Sequence, residues 1–416
     1  MLTAEVSLDR KRGDFLTLKI AVFGPGDPLY VWWGHIGLIV EDKLSKRSIF
    51  YDYGLFSFDN ENFFLNFAFG RLLYSCGASP TSMNLERYKE QNRNITLYTL
   101  DLSPEKKLDV WRFAEHNILP ENRNYYYHQF NDNCSTRIRD IIDMAIDGQL
   151  SEATSGPGRM TFREHVRRHT WFSPFFDWFL MFIMGENIDK QITEWDEMFL
   201  PGEVGQQIES FIYTGESGLE RKLVSEKEVY FVADNRPAVR EEPRRQWPLE
   251  LTGGLIFAWG LAILRLRENR GTRITLGSLN ALLGLFLGSA GAVVCFMSFF
   301  TNHDYSWHNL NTLFINPIFL ATVPAGIIYA TGRGGKWRFA PEKILSGVWT
   351  LTFTLAILSV ILNLFPGIHH DNRITLAAFL PPAFVMSGYF RLIFHGKQKN
   401  IVALHQDSSE KSINEK

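Results

Sequence analysis

The chain has 416 residues, which is longer than a usual single domain, so two structural units are expected. Its 43 basic and 45 acidic side chains give a formal net charge of −2, which removes the electrostatic basis for a nucleic-acid partner. Residues before 247 mix charged and aromatic side chains, whereas apolar blocks dominate after it. We therefore predict a folded domain over residues 1–247, a membrane domain over residues 248–396 and a disordered polar tail over residues 397–416.

Four stretches of the first domain have the aromatic and β-branched composition of strands. They are "FLTLKIAVF" (15–23), "LYVWWGHIGLIVED" (29–42), "SIFYDYGLF" (48–56) and "NITLYTLDL" (94–102). His35 falls near the middle of the second stretch. A helix start follows, with Ser103 as the N-cap and Pro104 at the first helical position. The first domain is therefore predicted to be α+β, with a small antiparallel sheet and helices.

The stretch "NDNCSTRIRD" (131–140) contains a cysteine at a predicted helix start. Apolar residues recur at helical spacing after it, at Ile138, Ile141, Ile142 and Ala145. The unpaired amides of a helix N-terminus stabilise a thiolate, which is the nucleophilic form of cysteine. Cys134 is therefore a candidate nucleophile.

A nucleophilic cysteine needs a base, and His35 on a strand is the first candidate. Asp52 of "YDYG" on the neighbouring strand is the candidate that orients the imidazole. Alternatives remain open at both positions. They are His116 and His128 for the base, and Asn131, Asp132 and Asn133 for the third residue.

A structural role is the alternative reading of the same cysteine. Buried cysteines are commonly inert small hydrophobes. In an oxidising compartment Cys76 and Cys134 are also able to form a disulfide. Composition and spacing alone do not choose between the structural and the nucleophilic reading.

Five apolar blocks form the predicted membrane domain. They run over residues 249–266, 274–300, 310–330, 344–365 and 374–394. All but the first clearly reach the length of about 20 residues that a membrane crossing takes. Glu250 and Arg265 limit the first block, for which an amphipathic helix on the membrane surface is the alternative. An all-α bundle of about five transmembrane helices is predicted.

Basic residues cluster after the first, third and fifth blocks, whereas Arg373 is the only one in the gaps after the second and fourth. The positive-inside rule then places residues 1–247 outside and the C-terminus in the cytoplasm. An exported domain needs a signal, yet the start of the chain has no adequate apolar core. We expect the numbering to begin after a removed signal or at a mistaken start codon. A cytoplasmic domain with inverted loop charges is the alternative.

Two further features lie near the predicted outer face. The stretch "WFSPFFDWFLMFIMG" (171–185) is too short to span a bilayer and is typical of an interfacial helix, of a lid or of a buried core helix. Four histidines are placed to contact lipid headgroups: His303, His308, His369 and His370. Their spacing is not diagnostic of a metal site. No metal and no cofactor is predicted.

Four stretches together resemble one family. They are "WWGHIGLIV", "FYDYGLFSFDNENFFLNFAFGRLLY", "LPENRNYYYHQFNDNCSTRIRD" and "NHDYSWHNLNTLFINP". They resemble the Lnb family of bacterial lipoprotein N-acyltransferases, in which an extracytoplasmic domain is fused to membrane helices. The order of a histidine strand before a cysteine helix is also similar to the permuted papain-like hydrolases, which include the lecithin:retinol acyltransferases.

The resemblance implies an acyltransferase of the bacterial inner membrane. Cys134 corresponds to the nucleophile and His35 to its base, with a membrane phospholipid as acyl donor and lipid-modified lipoproteins as acceptors. Backbone amides near Cys134 are expected to stabilise the oxyanion. Candidate substrate-binding residues are Tyr53, Asn133, Arg137, His303, His308 and Asn309. A cell-wall cysteine peptidase or amidase and a non-catalytic membrane scaffold are the alternatives.

Overall fold

The computed structural model describes residues 12–56, 62–267, 269–332 and 340–393. The chain divides into two compact units. The first comprises Met1–Pro174 and Lys190–Arg244, and the second comprises Phe175–Asp189 and Arg245–Lys416. The start of the chain, residues 1–11, and the predicted polar tail, residues 397–416, lie outside the described residues.

The strands belong to the first unit. In chain order they are β1 (Leu16–Phe23), β2 (His35–Asp42), β3 (Arg47–Leu55), β4 (Leu73–Pro80), β5 (Ile95–Leu100), β6 (Asn124–Tyr126), β7 (Pro157–Thr161), β8 (Gln191–Thr193), β9 (Ile212–Thr214), β10 (Glu220–Lys222) and β11 (Val224–Phe231). Seven of them form one sheet in the order β11, β5, β1, β2, β3, β4, β6. Neighbouring strands in this sheet are antiparallel, which confirms the predicted sheet type.

The α-helices are numbered through both units. Those within the described residues are α1 (Phe63–Ala68), α2 (Thr81–Glu90), α3 (Pro104–Asn117), α4 (Cys134–Ala145), α5 (Gln149–Ala153), α6 (Phe162–Thr170), α7 (Pro174–Ile183), α8 (Glu194–Glu197), α9 (Pro201–Ser210), α10 (Trp247–Leu266), α11 (Arg270–Phe300), α12 (Asn311–Phe314), α13 (Thr322–Thr331), α14 (Pro341–Leu362) and α15 (Arg373–Met386).

Alternation along the strands gives the large sheet two apolar faces, each covered by helices. On one face, Phe23, Ile39 and Phe50 pack with Leu85 and Tyr88 of α2. The other face carries the larger core, which includes residues of α3, α4 and α9. Both faces are buried, so the sheet lies between α2 on one side and three helices on the other.

Local sequence patterns predict several elements correctly. Strands β1 and β5 lie within the predicted stretches, and β3 begins one residue before its stretch. Helix α3 begins at Pro104 as predicted, and the Ser103 side chain accepts a hydrogen bond from the Lys106 amide at 3.3 Å, as an N-cap does. Helix α4 begins at Cys134, as predicted.

One position differs from the prediction. His35 is the first residue of β2 and does not lie near the middle of a strand. Residues Leu29–Val31 form a short 3-10 helix, and Gly34 has a φ of +86°. The backbone is therefore not extended at these positions, and the strand begins only at His35. His35 therefore lies at an end of the sheet, where a side chain is able to line a cavity.

The second unit is helical. Within the described residues, four segments are long and apolar enough to cross a membrane: Trp247–Leu266, Arg270–Phe300, Asn311–Thr331 and Pro341–Leu362. The first predicted block, whose length left its class open, is among them. The fifth block forms the shorter α15, which has 14 residues and contains Pro381 and Pro382. The count of five spans stays a prediction.

Helix α7 lies in the stretch for which the sequence offers an interfacial and a buried reading. It has one exposed side, with Phe175 63% exposed, and one buried side that includes Leu180 and Phe182. The carbonyl of Phe182 accepts hydrogen bonds from the Asn309 and Asn311 side chains at 2.9 and 3.1 Å. Helix α7 is therefore tied into the second unit through its last turn.

Candidate active site

Cys134 is fixed by the N-terminal cap of α4. The Asn133 side-chain oxygen accepts hydrogen bonds from the amides of Ser135 and Thr136 at 2.8 and 3.0 Å. The Thr136 hydroxyl accepts from the Asn133 amide at 2.8 Å, which completes a capping box. The side-chain nitrogen Nδ2 of Asn133 also donates to the backbone carbonyls of Gln129 and Phe199. These bonds hold the start of the helix, and with it the cysteine backbone, in one position.

His35 and Asp52 are joined by the register of two strands. Asp52 of β3 lies opposite Gly37 of β2, so it is the diagonal neighbour of His35 on the same face. Nε2 of His35 and Oδ1 of Asp52 are 2.6 Å apart. Their side chains are only 16% and 6% exposed, so water screens this charge-assisted hydrogen bond weakly. The bond orients the imidazole and leaves Nδ1 to exchange a proton.

A cavity of about 430 Å³ at this end of the sheet brings the three predicted catalytic residues together. His35, Asp52 and Cys134 all line it. Aromatic side chains form much of the rest of the wall, namely Tyr30, Phe56, Tyr74, Tyr88 and Tyr127. The cavity is therefore suited to an apolar chain bound beside a nucleophile.

The thiol and the imidazole reach this cavity from opposite faces of the sheet. Cys134 packs in the core formed with α3, α4 and α9, whereas the His35 ring lies beside Tyr88 of α2, with ring centroids 5.9 Å apart. Gly54 of β3 has a φ of +90°, and a Cβ added there would lie 3.6 Å from the Cβ of Cys134. A glycine at this position permits the turned backbone and places no side chain against the cysteine.

The electrostatics favour a protonated His35. Burial lowers the pKa of His35. The side chains of Tyr88, Asp52 and Cys134, which carry negative charge when ionised, have the larger combined effect and raise its pKa well above 6.5. The site therefore favours an imidazolium next to the thiol, the state in which a thiolate is stabilised by a neighbouring positive charge.

Three of the alternative residues for the base and the third position hydrogen-bond other groups of the first unit. Asp132 binds Arg137 through two hydrogen bonds of 2.5 and 2.7 Å. Nδ1 of His128 accepts from the amides of Phe130 and Asn131 at 3.2 and 3.0 Å. Nε2 of the His116 ring hydrogen-bonds the Asn122 side chain at 3.0 Å.

Some candidate substrate-binding residues line a second cavity of about 310 Å³, and Cys134 is not among the residues that line it. Tyr53 and Arg137 line this cavity, as do Asn131 and Asp132. Asn133 uses its side chain for the helix cap. A substrate-binding role for Tyr53, Asn133 and Arg137 stays a prediction.

Three further candidates for substrate binding belong to the second unit. The His303 ring nitrogen Nδ1 is 2.8 Å from the Tyr305 hydroxyl, and the Asn309 side chain donates to Phe182. His308 has a φ of +53°. A role in substrate binding for these residues also stays a prediction. In the described parts of the chain, no group of three or more His, Cys, Asp and Glu side chains is placed to hold a metal ion.

The cysteines of the first unit are separate thiols. Cys76 and Cys134 are both free, and the Cys76 thiol donates to the Asn117 carbonyl at 3.0 Å. Burial raises the pKa of Cys76, so its thiol is a poor nucleophile near neutral pH. The structure therefore holds no disulfide between these two residues.

Two arginines of the main cavity are absent from the sequence predictions. Arg87 lies in the last turn of α2, and Arg93 lies between α2 and β5. Both residues line the cavity with Cys134. Neither lies in a motif, and the buried position of Arg93 depends on how α2 packs against the sheet. A lone basic residue in the turn "NRN" gave no sequence signal for this position.

Fold and site together define a membrane-associated protein, in which a domain of helices and an antiparallel sheet, with a Cys–His–Asp cavity, is joined to membrane-capable helices. Residues 8–168 match the family model of the Lnb N-terminal periplasmic domain, and the matched range includes His35, Asp52 and Cys134. The match confirms the resemblance to the Lnb family over this part of the chain. No curated protein and no solved structure matches the chain.

Proposed function

We propose that this protein is a lipoprotein N-acyltransferase that works through a thioester on Cys134. It would move a fatty acyl chain from a membrane phospholipid to the α-amino group of the lipid-modified N-terminal cysteine of a lipoprotein. The observation that carries the proposal is the shared cavity of Cys134, His35 and Asp52 within an Lnb periplasmic domain. The aromatic wall of the cavity supports an acyl chain as the group transferred.

The first half-reaction would form the thioester. The thiol proton of Cys134 passes to neutral His35 and gives a thiolate–imidazolium pair, and the thiolate attacks the ester carbonyl of the donor lipid. When the tetrahedral intermediate collapses, the C–O bond breaks and His35 returns the proton to the leaving lysolipid alkoxide. Asp52 stabilises the imidazolium between these two transfers and holds the ring in place.

The second half-reaction would form the amide. The amine of the acceptor attacks the thioester carbonyl, and His35 accepts a proton from the nitrogen. The C–S bond then breaks, and the proton passes to the thiolate of Cys134, which regenerates the thiol. Water must be excluded until the amine arrives, because hydrolysis of the thioester would release the acyl chain as a free acid.

The cap of α4 limits how the oxyanion is stabilised. The amides of Ser135 and Thr136 donate to the Asn133 side chain, so they are not directed at a substrate. Backbone amides near Cys134 were expected to bind the oxyanion, but these two amides are not available for it while the cap is formed. Other donors of the cavity would have to serve.

The membrane helices support the same proposal, because a lipid donor reaches a tethered enzyme directly from the bilayer. We place the protein in the bacterial inner membrane, with the Lnb domain on the periplasmic side and the C-terminus in the cytoplasm. This orientation relies on five spans and on the distribution of basic loops. A permuted papain-like relationship of the domain belongs to the same proposal.

Intact-mass spectrometry of the detergent-purified full chain tests the proposal. The protein is incubated with diacyl phospholipid, and wild type is compared with Cys134→Ser before and after neutral hydroxylamine. We expect a fatty-acyl mass increment on wild type that hydroxylamine removes and that the variant lacks. Adding a lipoprotein with a free N-terminal amine should then discharge the adduct. Donor turnover independent of Cys134 would refute the nucleophile, and cleavage of cell-wall peptides without any adduct would indicate the peptidase or amidase instead.

A further inference from the structure

Arg93 is a buried cation that lines the cavity of Cys134 and has an unused hydrogen-bond donor. Its side chain is among the largest fully buried ones, and the residue is only 2% exposed. Nε donates to the Gly24 carbonyl at 2.8 Å. Among the residues that the structure describes, no group accepts a hydrogen bond from Nη2. Burying a guanidinium donor without an acceptor lowers the stability of the fold. We therefore expect a bound ligand to supply the acceptor.

A second guanidinium lies near the same aromatic ring. The Arg93 guanidinium carbon is 4.7 Å and the Arg87 guanidinium carbon 5.1 Å from the centroid of the Tyr88 ring. Tyr88, Arg87 and Arg93 all line the cavity. Tyr88 itself is held by stacking on Phe23, with ring centroids 3.8 Å apart. The cavity wall therefore presents two cations on a rigid aromatic support.

The carboxylates of the cavity already have cationic partners. Asp52 is hydrogen-bonded to His35, and Arg87 lies 3.8 Å from its second oxygen. Asp27 accepts a hydrogen bond from Arg236 at 2.9 Å. Neither carboxylate is hydrogen-bonded to Nη2 of Arg93, so the carboxylates of the cavity do not supply its acceptor.

We propose that Arg93, assisted by Arg87, binds the phosphate of the phospholipid donor beside Cys134, so that these two arginines select a phosphoglycerolipid over a neutral diacylglyceryl lipid. A phosphodiester offers oxygens that match the fork of a guanidinium. In a glycerophospholipid only a few bonds separate the phosphate from the acyl esters. Holding the phosphate at Arg93 would therefore keep an ester carbonyl within the thiol's cavity.

This inference rests on the proposed function, and its test uses the same thioester. The initial rate of acyl-adduct formation is measured on the full chain with two donors, a diacyl phosphatidylglycerol and a diacylglycerol with the same acyl chains. Wild type is compared with Arg93→Gln, Arg93→Lys and Arg87→Gln, and Arg47→Gln at the exposed start of β3 serves as the matched control. Iodoacetamide labelling of Cys134 without lipid reports whether each variant keeps the thiol intact.

We expect wild type to prefer the phospholipid. Arg93→Gln should lower the ratio of the phospholipid rate to the diacylglycerol rate by roughly 10- to 100-fold, the range that follows from losing a hydrogen bond to a charged group. Arg93→Lys should fall between, because it keeps the charge but loses the fork. The final extent of Cys134 labelling by iodoacetamide should not change.

Three outcomes would overturn the inference. Equal loss with both donors would mean that Arg93 acts on the thiol or on the oxyanion. Equal use of both donors by wild type would mean that no phosphate is recognised, while the thioester function would stand. An unchanged ratio in Arg93→Lys and Arg87→Gln would exclude a phosphate site even if Arg93→Gln fails to fold. No adduct with any lipid in wild type would instead refute the proposed function itself.

Discussion

Replacing Asp52 by Asn tests whether the carboxylate on β3 is the group that supports His35. The change keeps the shape of the side chain and removes its charge, and the bond at stake is the 2.6 Å contact with Nε2 of His35. A buried hydrogen bond to a charged group contributes about 1.5 to 3 kcal/mol. Because this bond is strongest to the imidazolium, we expect the rate of thioester formation to fall roughly 10- to 100-fold.

The pH dependence of stability gives a second readout of the same pair. The pKa of folded His35 lies above its ordinary value of 6.5, so protonation favours the folded state. The stabilisation is full below pH 6.5 and is lost as the pH rises through the raised pKa. The difference in opening free energy between wild type and Asp52→Asn should therefore be largest at acidic pH. Hydrogen–deuterium exchange of the β2 and β3 amides in the full chain measures this difference locally.

The matched control is Asp132→Asn, which removes the other carboxylate close to the cysteine helix. Asp132 binds Arg137 and lines the second cavity, so its loss should leave thioester formation within a few-fold of wild type. If Asp132→Asn lost the larger part of the activity while Asp52→Asn retained it, the assignment of Asp52 would be wrong. A wild-type-minus-variant stability difference that grew with pH would contradict the raised pKa of His35.

Three further predictions concern the frame of the site. Gly54→Ala should lower the opening free energy of β3 by about 1 to 2 kcal/mol, because a side chain is strained at a φ of +90°; hydrogen exchange checks this, and an unchanged value would refute the strain. Asn133→Ala should cost about 2 to 4 kcal/mol in the same measurement at α4, because it removes the cap and leaves buried partners unpaired; Asn133→Asp, which keeps the acceptor, should lose less. In iodoacetamide labelling at pH 7, Cys76→Ser should keep the fast phase and Cys134→Ser should abolish it, because burial raises the pKa of Cys76; the reverse result would exchange their roles.

Local patterns predict the elements of the site better than their contacts. The helix start at Cys134 is predicted from the apolar periodicity that follows it, which is a local feature. The pairing of Asp52 with His35 follows from two neighbouring strands joined by a short turn. Both features depend on residues close together in the sequence, which explains why the sequence was sufficient for them.

The remaining features depend on contacts between distant segments. Strands β4, β6 and β11 have no counterpart in the sequence predictions. The segment of β4, "LYSCGASP", contains Gly, Ser and Pro, which are poor strand formers, and β11 is an edge strand rich in charge. Arg93 enters the cavity only because α2 covers one face of the sheet. Such positions are set by tertiary packing, and a single sequence carries no local record of them.

The path of the chain between the two units determines how a soluble fragment has to be designed. The first unit is interrupted, because Phe175–Asp189 belongs to the second unit before the chain returns at Lys190. A simple truncation after residue 244 would retain this apolar segment without the Asn309 and Asn311 side chains that bind its last turn. Replacing residues 175–189 by a short polar linker should give a fragment with fewer exposed aromatic residues and less tendency to aggregate.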